Sequence, residues 1–400
     1  MELLRNPVRP YAWGSRTIIA ELLGRDVPAP HPEAELWVGA HPGDPSTVIR
    51  TNQPLVDLID EDPTGQLGPA VAARWGTRLP FLLKILAAEE PLSLQAHPSQ
   101  AQAEAGFARE EAAGIPRDAK NRNYPDPTAK PELVCALTEF HALAGFRDPH
   151  RTVKLLRAVQ TPGLAPYVDL LAEQPNSDGL RALFTTWITL PQPALDKLEP
   201  ELLDACVAEV RAHGSFEVEC RTILQLGEAY PGDAGVLVSL LLNRVVLTPG
   251  EAIFLPAGNP HSYLQGAAVE ILANSDNILR GGLTPKHVDV PELLRVLDFS
   301  CGDIPILSGE RKDESRWVYR TSAPEFELSR LELGASDAGV RLEGSVPRLL
   351  ICTDGSVDVG GLLTVHRGES AWIPASDPEL ELRAFGDAPA RAFVATVGTL

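Results

Sequence analysis

Short apolar runs separated by proline and glycine turns recur along most of the chain and predict β strands. The clearest runs in the first quarter lie at residues 79–86 and 92–97. Runs of this length bounded by turn residues are typical of buried strands. Similar sequence returns from about 235 to 275 and again over 315–400. The pattern therefore predicts a mainly β chain with α insertions.

Two segments interrupt this pattern with helical periodicity. A stretch rich in Ala, Gln and Glu begins after Ser99, the expected N-cap, and ends at Gly114. A longer block over 150–213 is predicted to be helical, with Pro200 just before its last helix and Gly214 just after it. The apolar residues at helical spacing in this block include Leu180, Leu183, Phe184 and Trp187. Another helix is expected over 285–297.

Composition narrows the classes of function. The chain has 400 residues, enough for two or three domains, and a formal net charge of -19. So acidic a chain is not expected to bind nucleic acid, and an anionic substrate would need a local basic pocket. Five scattered cysteines indicate reduced thiols. Because neither a signal peptide nor a membrane-spanning run is evident, we expect a cytoplasmic protein without membrane contact.

Residues 249–263, PGEAIFLPAGNPHSY, combine a turn, a short strand, a second turn and a histidine. Gly250 marks the first turn, Pro256 and Gly258 end the strand, and His261 stands where the next strand begins. This arrangement resembles the second motif of the cupin barrels, so His261 is a candidate metal ligand. The alternative is that its ring only satisfies a backbone carbonyl of the turn.

Gln95 and His97 stand two apart on a probable strand, so both side chains project from one face. In metal-binding cupins this position usually carries two histidines followed by a carboxylate, which here would be Glu132. The candidate ligands are then Gln95, His97, Glu132 and His261, a set that suits zinc, with iron, manganese, cobalt or nickel as competitors. Alternatively, Gln95 bonds to neighbouring backbone and Glu132 is a solvated charge at a strand edge.

Polar residues concentrate again between 269 and 286, beside an expected strand. Arg280 could clamp a phosphate or an oxyanion with its planar fork, and Lys286 could add a second charge. Solvated loop charges are the alternative explanation. A shorter echo of the first motif occurs at 368–375, which repeats the spacing of 250–257 without the following glycine and histidine. It predicts a second barrel without a metal, although a chance similarity would look the same.

Over nearly its full length the chain closely resembles type I mannose-6-phosphate isomerase, a zinc enzyme of the cupin superfamily. The strings that carry the resemblance are YAWG at 11–14, ELWVGAHP at 35–42, PLSLQAHP at 91–98, HSYL at 261–264 and SDNILRGGLTPK at 275–286. One departure stands out, because Thr128 and Ala129 replace an asparagine–histidine pair of the family motif. The following Lys130 and Glu132 are kept.

The resemblance implies a fold and an organisation. Residues 1–149 and 215–310 would form a cupin catalytic domain, a jelly-roll β-barrel with a helical insertion near 99–114. Residues 150–214 would form a helical domain, and 311–400 a second, C-terminal cupin-like barrel without a metal site. A monomer is expected.

The resemblance also implies an activity, the interconversion of mannose 6-phosphate and fructose 6-phosphate through a cis-enediol, with one Zn²⁺ as Lewis acid. In this scheme Lys130 is the expected base, Asp276 its competitor, and Arg280 steadies the enediolate or orients the sugar. The expected substrate-binding residues are Ser93, Lys286, Lys84 and Trp13. Two alternatives stay open: a non-catalytic regulatory cupin that binds sugar phosphate, and another metal-dependent cupin reaction such as an oxygenation.

Overall fold

The first third of the chain alternates short strands with short helices. The structure is a computed structural model and describes residues 1–159 and 161–399. In chain order its first elements are β1 (Glu2–Arg5), β2 (Val8–Arg9), α1 (Ile18–Leu22), β3 (Glu35–Val38), β4 (Thr47–Val48), α2 (Leu55–Glu61), α3 (Pro63–Leu67), α4 (Pro69–Trp75), β5 (Phe81–Ala88), β6 (Gln95–Ala96), α5 (Gln100–Ala112), β7 (Glu132–Ala136) and β8 (Phe140–Phe146).

The middle of the chain is helical, as predicted, but the helices extend further than expected. They are α6 (Pro149–Ala158), α7 (Ala165–Glu173), α8 (Ser177–Ile188), α9 (Gln192–Arg211), α10 (Glu217–Ala229) and α11 (Ala234–Ser239). Helix therefore continues past Gly214 to Ser239. The predicted start of a helix at Pro200 is wrong, since Pro200 lies inside α9. The helix continues through it because Leu195, Leu202 and their helical neighbours are buried on one face.

The remainder of the chain is mostly strand. Its elements are β9 (Leu242–Leu247), β10 (Ala252–Leu255), β11 (His261–Ala273), β12 (Leu279–Arg280), α12 (Val290–Val296), β13 (Glu310–Arg311), β14 (Arg316–Tyr319), β15 (Glu327–Leu333), β16 (Val340–Leu342), β17 (Arg348–Asp354), β18 (Ser356–Val359), β19 (Leu363–His366), β20 (Ser370–Ile373), β21 (Leu380–Ala384) and β22 (Ala390–Thr396). The prediction of β sheets with helical insertions is confirmed. The strand expected over 92–97 is shorter, since only β6 forms there.

Three sheets carry the strands. A ten-stranded sheet contains β10-β7-β11-β5-β3-β2 as its main path, with β6, β8, β9 and β12 branching from it. An eight-stranded sheet has the order β13-β14-β15-β22-β17-β20-β1-β4, and a four-stranded sheet the order β16-β21-β18-β19. Strands β1 and β4, near the amino terminus, therefore belong to the same sheet as the C-terminal strands. Closure of either sheet system into a cupin barrel stays a prediction.

The two larger sheets pack face to face. Leu83 and Ile85 of β5 share a buried cluster with Leu349 and Trp372 of the eight-stranded sheet. The intervening positions of β5 face the other way, and all eight of its residues are buried. A strand covered on both faces reads as a continuous apolar run, which explains why β5 was evident from the sequence.

Two local predictions are confirmed in detail. Ser99 caps α5 through a capping box, in which its side chain accepts from the backbone of Gln102 and the Gln102 side chain accepts from the backbone of Ser99. In the internal echo, Gly250 and Gly368 have φ of 89° and 83°, and a strand begins two residues after each. Within the described ranges, no helix combines the length and the apolar character that a membrane crossing requires.

Candidate metal centre and active-site cavity

Strand alternation places three charged side chains on one face of the ten-stranded sheet. Lys84 on β5, Glu132 on β7 and Glu270 on β11 each have sequence neighbours packed against the eight-stranded sheet. Because successive side chains of a strand point to opposite faces, the three project away from that core. Glu270 and Lys84 are also direct register partners. The alternation of side chains along the three strands therefore places the charged groups of the site together on one face of the sheet.

Strand pairing brings the two predicted motifs together. His261 at the start of β11 is the register partner of Gln95 on β6, and Glu132 at the start of β7 pairs with β10. His97 follows β6 directly, and its carbonyl accepts a hydrogen bond of 2.8 Å from the backbone of Gly258. The proline–glycine turn before His261 is therefore bonded to the segment that carries His97.

His97, Glu132 and His261 form a compact, buried cluster. One ligand atom from each lies within 4.8 Å of the others. The Nε2 atom of His97 is 3.3 Å from one oxygen of Glu132, and the Nε2 atom of His261 is 3.4 Å from the other. Two imidazole nitrogens and a carboxylate oxygen converging in this way can hold a divalent cation such as zinc.

Both rings are oriented by backbone carbonyls. Nδ1 of His97 lies 2.8 Å from the carbonyl of Asn277, and Nδ1 of His261 lies 3.0 Å from that of Asn259. A carbonyl can only accept, so the proton resides on Nδ1 and the Nε2 lone pair faces the cluster. Both Nε2 atoms are buried without a hydrogen-bond partner among the described residues. Buried polar atoms are rarely left unpaired, so these two fit a metal ion.

The electrostatics keep the cluster in its metal-binding form. Burial lowers the pKa of His97 to about 4, so the ring is neutral at physiological pH. Burial alone would raise the pKa of Glu132, but the neighbouring His97 and Lys130 hold it well below its usual range. Neutral imidazoles and an ionised carboxylate are the forms that bind metals.

A cavity of about 500 Å³ adjoins this cluster. Glu132 forms part of its wall, so the metal cluster meets the cavity there. Most of the sequence-predicted site residues also line it, namely Trp13, Lys84, Ser93, Gln95, Lys130, Asp276, Arg280 and Lys286. Gln95 stands between His261 and Arg280 in the strand pairing. Its role as a fourth ligand stays a prediction.

Arg280 and Lys286 supply positive charge without matching carboxylates. Burial lowers the pKa of Arg280, and burial together with the charge of Arg280 lowers the pKa of Lys286. Among the described residues neither side chain takes part in an ion pair. Two uncompensated cations on one cavity wall suit an anionic group, in a chain that is otherwise strongly acidic.

Lys84 lies in a buried polar network on the cavity wall. Its Nζ is 3.4 Å from Glu35 and 3.2 Å from Glu270. Trp37 donates to Glu35 at 2.7 Å, and Tyr263 donates to Glu270 at 2.8 Å. Burial alone would lower the pKa of Lys84, but the two carboxylates raise it well above its usual value. Its predicted contact with a phosphate stays a prediction, since its charge is already matched by two carboxylates.

Lys130 and Asp276, the two candidate bases, have different surroundings. Lys130 is buried, with its Nζ 3.4 Å from a carboxylate oxygen of Glu132. Asp276 is exposed, its backbone donates to Asp126 at 2.8 Å, and its carboxylate lies 3.3 Å from Nε2 of His41. Lys130 is therefore beside the metal cluster, whereas Asp276 is fixed by a loop and by a histidine.

Sequence reasoning had assigned no role to His41, Glu35 or Tyr263. His41 and Glu35 both lie in the string at 35–42, and Tyr263 ends the stretch at 249–263. All three therefore belong to recognised motifs, although no function had been assigned to their side chains. The signal that could have found them is a polar residue on the site face of a buried strand. That face becomes known only once the strands are paired.

The packed sheets, the two-histidine carboxylate cluster and the cation-lined cavity are together those of a metal-dependent enzyme. The catalytic-domain model of phosphomannose isomerase type I matches residues 1–149. The mannose-6-phosphate isomerase of Escherichia coli is 39% identical over 393 residues, covering 96% of this chain and 98% of the relative. That of Rattus norvegicus is 32% identical over 401 residues, covering 94% and 89%. This chain belongs to the type I phosphomannose isomerase family.

Solved structures agree with this assignment. Mannose 6-phosphate isomerase from Salmonella typhimurium, bound to its substrate fructose 6-phosphate and to zinc, superposes with a TM-score of 0.89 at 37% identity, covering 100% of both chains. A structure of mannose 6-phosphate isomerase bound with zinc and yttrium gives the same TM-score of 0.89 at 37% identity, again over 100% of both chains.

Proposed function

We propose that this chain interconverts mannose 6-phosphate and fructose 6-phosphate through a cis-enediol, with one zinc ion per chain. The observation that carries the proposal is the pair of unpartnered Nε2 atoms that flank Glu132 beside a cavity with two uncompensated cations. The relative from Salmonella typhimurium, solved with fructose 6-phosphate and zinc, supports the choice of substrate and metal.

The proposed zinc ligands are His97, Glu132 and His261, with Gln95 as the fourth. Bound there, zinc would supply Lewis-acid chemistry, polarising a sugar oxygen and stabilising the charge that develops on it. The protein contributes the buried setting of these ligands and the two carbonyls that hold the histidine rings in place. Exclusion of water strengthens each charge interaction at the centre.

The hard step is removal of a weakly acidic proton from carbon. We propose that Lys130 takes the proton from C2 of the aldose and returns it to C1, while the hydroxyl proton passes from O2 to O1, which yields the ketose. Its place beside Glu132 supports this role. Asp276 is the competing base. Arg280 steadies the enediolate or orients the sugar through its donors.

The cationic wall of the cavity provides for the phosphate. Ser93 and Lys286 are the proposed phosphate-binding residues, with Lys84 as a further candidate, and Trp13 would contact the sugar. All four line the cavity. We also propose a monomer in the cytoplasm, consistent with five free cysteines, and the organisation into a catalytic unit, a helical unit and a C-terminal unit expected from the sequence.

A coupled assay that measures fructose 6-phosphate formed from mannose 6-phosphate tests the function. Activity should vanish when a chelator has removed the metal and return when zinc is restored. A regulatory sugar-phosphate binder would give no turnover in either state, and that result would reject the proposal. Activity that survives complete metal removal would reject the zinc mechanism while leaving the reaction itself in place.

A further inference from the structure

A second cavity, of about 320 Å³, lies in the C-terminal part of the molecule. Strands β14, β15, β17 and β22 of the eight-stranded sheet contribute to it, together with the turn that precedes β17. None of its lining residues lines the catalytic cavity. Whatever binds here would therefore occupy a site separate from the metal centre.

The innermost charge of this second cavity is a guanidinium without a carboxylate of its own. Arg348 is 2% exposed. Its terminal nitrogens donate to the backbone carbonyls of Glu343, Pro374 and Asp377 at 2.8, 3.0 and 3.2 Å. The side chain of Asp377 is instead paired with the Met1 ammonium at 2.8 Å. A buried charge is costly unless it is paired, so this guanidinium favours an anion nearby.

One atom of this group has no partner at all among the described residues. Nε of Arg348 is buried and makes no hydrogen bond there. Burial also lowers the pKa of Arg348, as expected for a cation that lacks sufficient counter-charge. Since buried donors are nearly always satisfied, the unpaired Nε marks a position where a ligand or water oxygen would accept a hydrogen bond.

Three more cations surround the mouth of the cavity. Lys312 is exposed and forms no ion pair within the described part of the chain. Arg316 donates to Ser329 at 3.1 Å and reaches Glu327 only at 4.0 Å. Arg320 pairs with Glu310 at 2.9 Å and lies 3.6 Å from Glu327. The residues that line the cavity thus include four cations but only two carboxylates, Glu327 and Glu343, in a chain whose net charge is -19.

The remaining wall is apolar. It is formed by Val318, Leu342, Val346, Val394 and Val397. A cavity with a cationic side and an aliphatic side matches a molecule that has one anionic head and one apolar face. We propose that this cavity is a binding site for a small organic anion, with a phosphate or carboxylate head held by Arg348 and Arg316.

Calorimetric titration with phenyl phosphate and with benzoate tests the site, with benzyl alcohol as the neutral probe. Both anions should bind the zinc-loaded protein and the alcohol should not. The double variant K312Q/R316Q should weaken binding of the anions by about tenfold or more, the loss expected for charge-assisted hydrogen bonds. Because these residues lie outside the catalytic cavity, isomerase turnover should be unchanged.

The matched control is R280Q/K286Q, which removes the cations of the catalytic cavity instead. It should retain the binding that K312Q/R316Q loses. The proposal is overturned if neither anion binds the native protein, if K312Q/R316Q binds as tightly as native, or if R280Q/K286Q abolishes binding. Should the first double variant fail to fold, the exposed Arg320→Gln provides the same comparison, because it removes one mouth cation from an accessible position.

Discussion

Nε2 of His41 lies 3.3 Å from a carboxylate oxygen of Asp276 at the edge of the catalytic cavity. The backbone of Gly43 donates to Nδ1 of the same ring at 3.0 Å, so the ring proton resides on Nε2 and faces the carboxylate. The ring also packs edge-on against Trp37, with centroids 4.9 Å apart. This hydrogen bond lowers the pKa of Asp276, which keeps it ionised and oriented.

Replacing His41 with leucine should lower kcat/KM by roughly tenfold, about 1.4 kcal/mol of transition-state stabilisation, with zinc content unchanged. The reason is that Asp276 loses its donor and its fixed orientation. His41→Gln should restore much of the rate, since its amide can donate to the same carboxylate. The control is His366→Asn, at the exposed end of strand β19. Normal kcat/KM in His41→Leu would show that the pair has no part in turnover.

Lys130→Ala should reduce kcat by about a hundredfold or more while zinc stays bound, because a positioned proton-transfer group typically contributes that much. Asp276→Asn should have the smaller effect. Turnover per bound zinc is the quantity to measure, with the exposed Lys120→Ala as control. Near-normal turnover in Lys130→Ala would remove lysine as the base and favour Asp276.

Glu132→Gln should lower zinc affinity by at least about ten- to a hundredfold, because the carboxylate that both histidine rings face loses its charge. Competition with a fluorescent chelator would measure the change. Glu139→Gln is a suitable control, since Glu139 is exposed and pairs only with His141 in the described residues. Undiminished zinc binding in Glu132→Gln would place the metal elsewhere.

Thiol labelling should follow burial. Cys301 is exposed, whereas the other four cysteines are buried, and burial raises the pKa of Cys135 to about 11. Since the thiolate is the reactive form, iodoacetamide at neutral to mildly alkaline pH should add one label, at Cys301. Cys135 should stay unlabelled until the pH approaches about 11 or the chain unfolds. Intact mass measurement on native protein and on Cys301→Ser would reveal any second label.

Pro200→Ala should stabilise the protein. Pro200 is exposed inside α9 and has no N–H to donate to the carbonyl of Asp196, a defect that costs up to about 3 kcal/mol in a helix. The urea midpoint should rise. Pro193→Ala at the start of the same helix should leave it nearly unchanged, because the first N–H groups of a helix have no internal partner. A lower midpoint in Pro200→Ala would contradict this account.

The metal cluster was accessible from sequence because His261 sits in a strong local signal and the resemblance to metal-binding cupins supplied His97 and Glu132. His261 follows a proline–glycine turn, and His97 and Glu132 adjoin strands with continuous apolar runs. The capping box at Ser99 is likewise local. Signals of this kind need only a few neighbouring residues to be recognised.

The features missed from sequence depend on contacts between distant segments. The pairing of His41 with Asp276 joins residues that only the folded sheets bring together. Pro200 was placed before a helix because proline is common there, yet tertiary burial of one helix face outweighed the local preference. The helices past Gly214 were missed for a related reason, since their apolar stripes have meaning only against the neighbouring helices of the same cluster.

Strand β1 pairs with β20 from Glu2↔Trp372 to Leu4↔Ser370. During synthesis on a ribosome, β1 gains its neighbour β4 early, but its other neighbour, β20, exists only once the chain has been made past residue 373. The sheet at this edge is thus among the last parts to assemble, and a nascent chain halted near residue 310 would expose an open strand edge to other chains. Pairing of β1 with β20 therefore makes this part of the eight-stranded sheet depend on synthesis of the chain through residue 373.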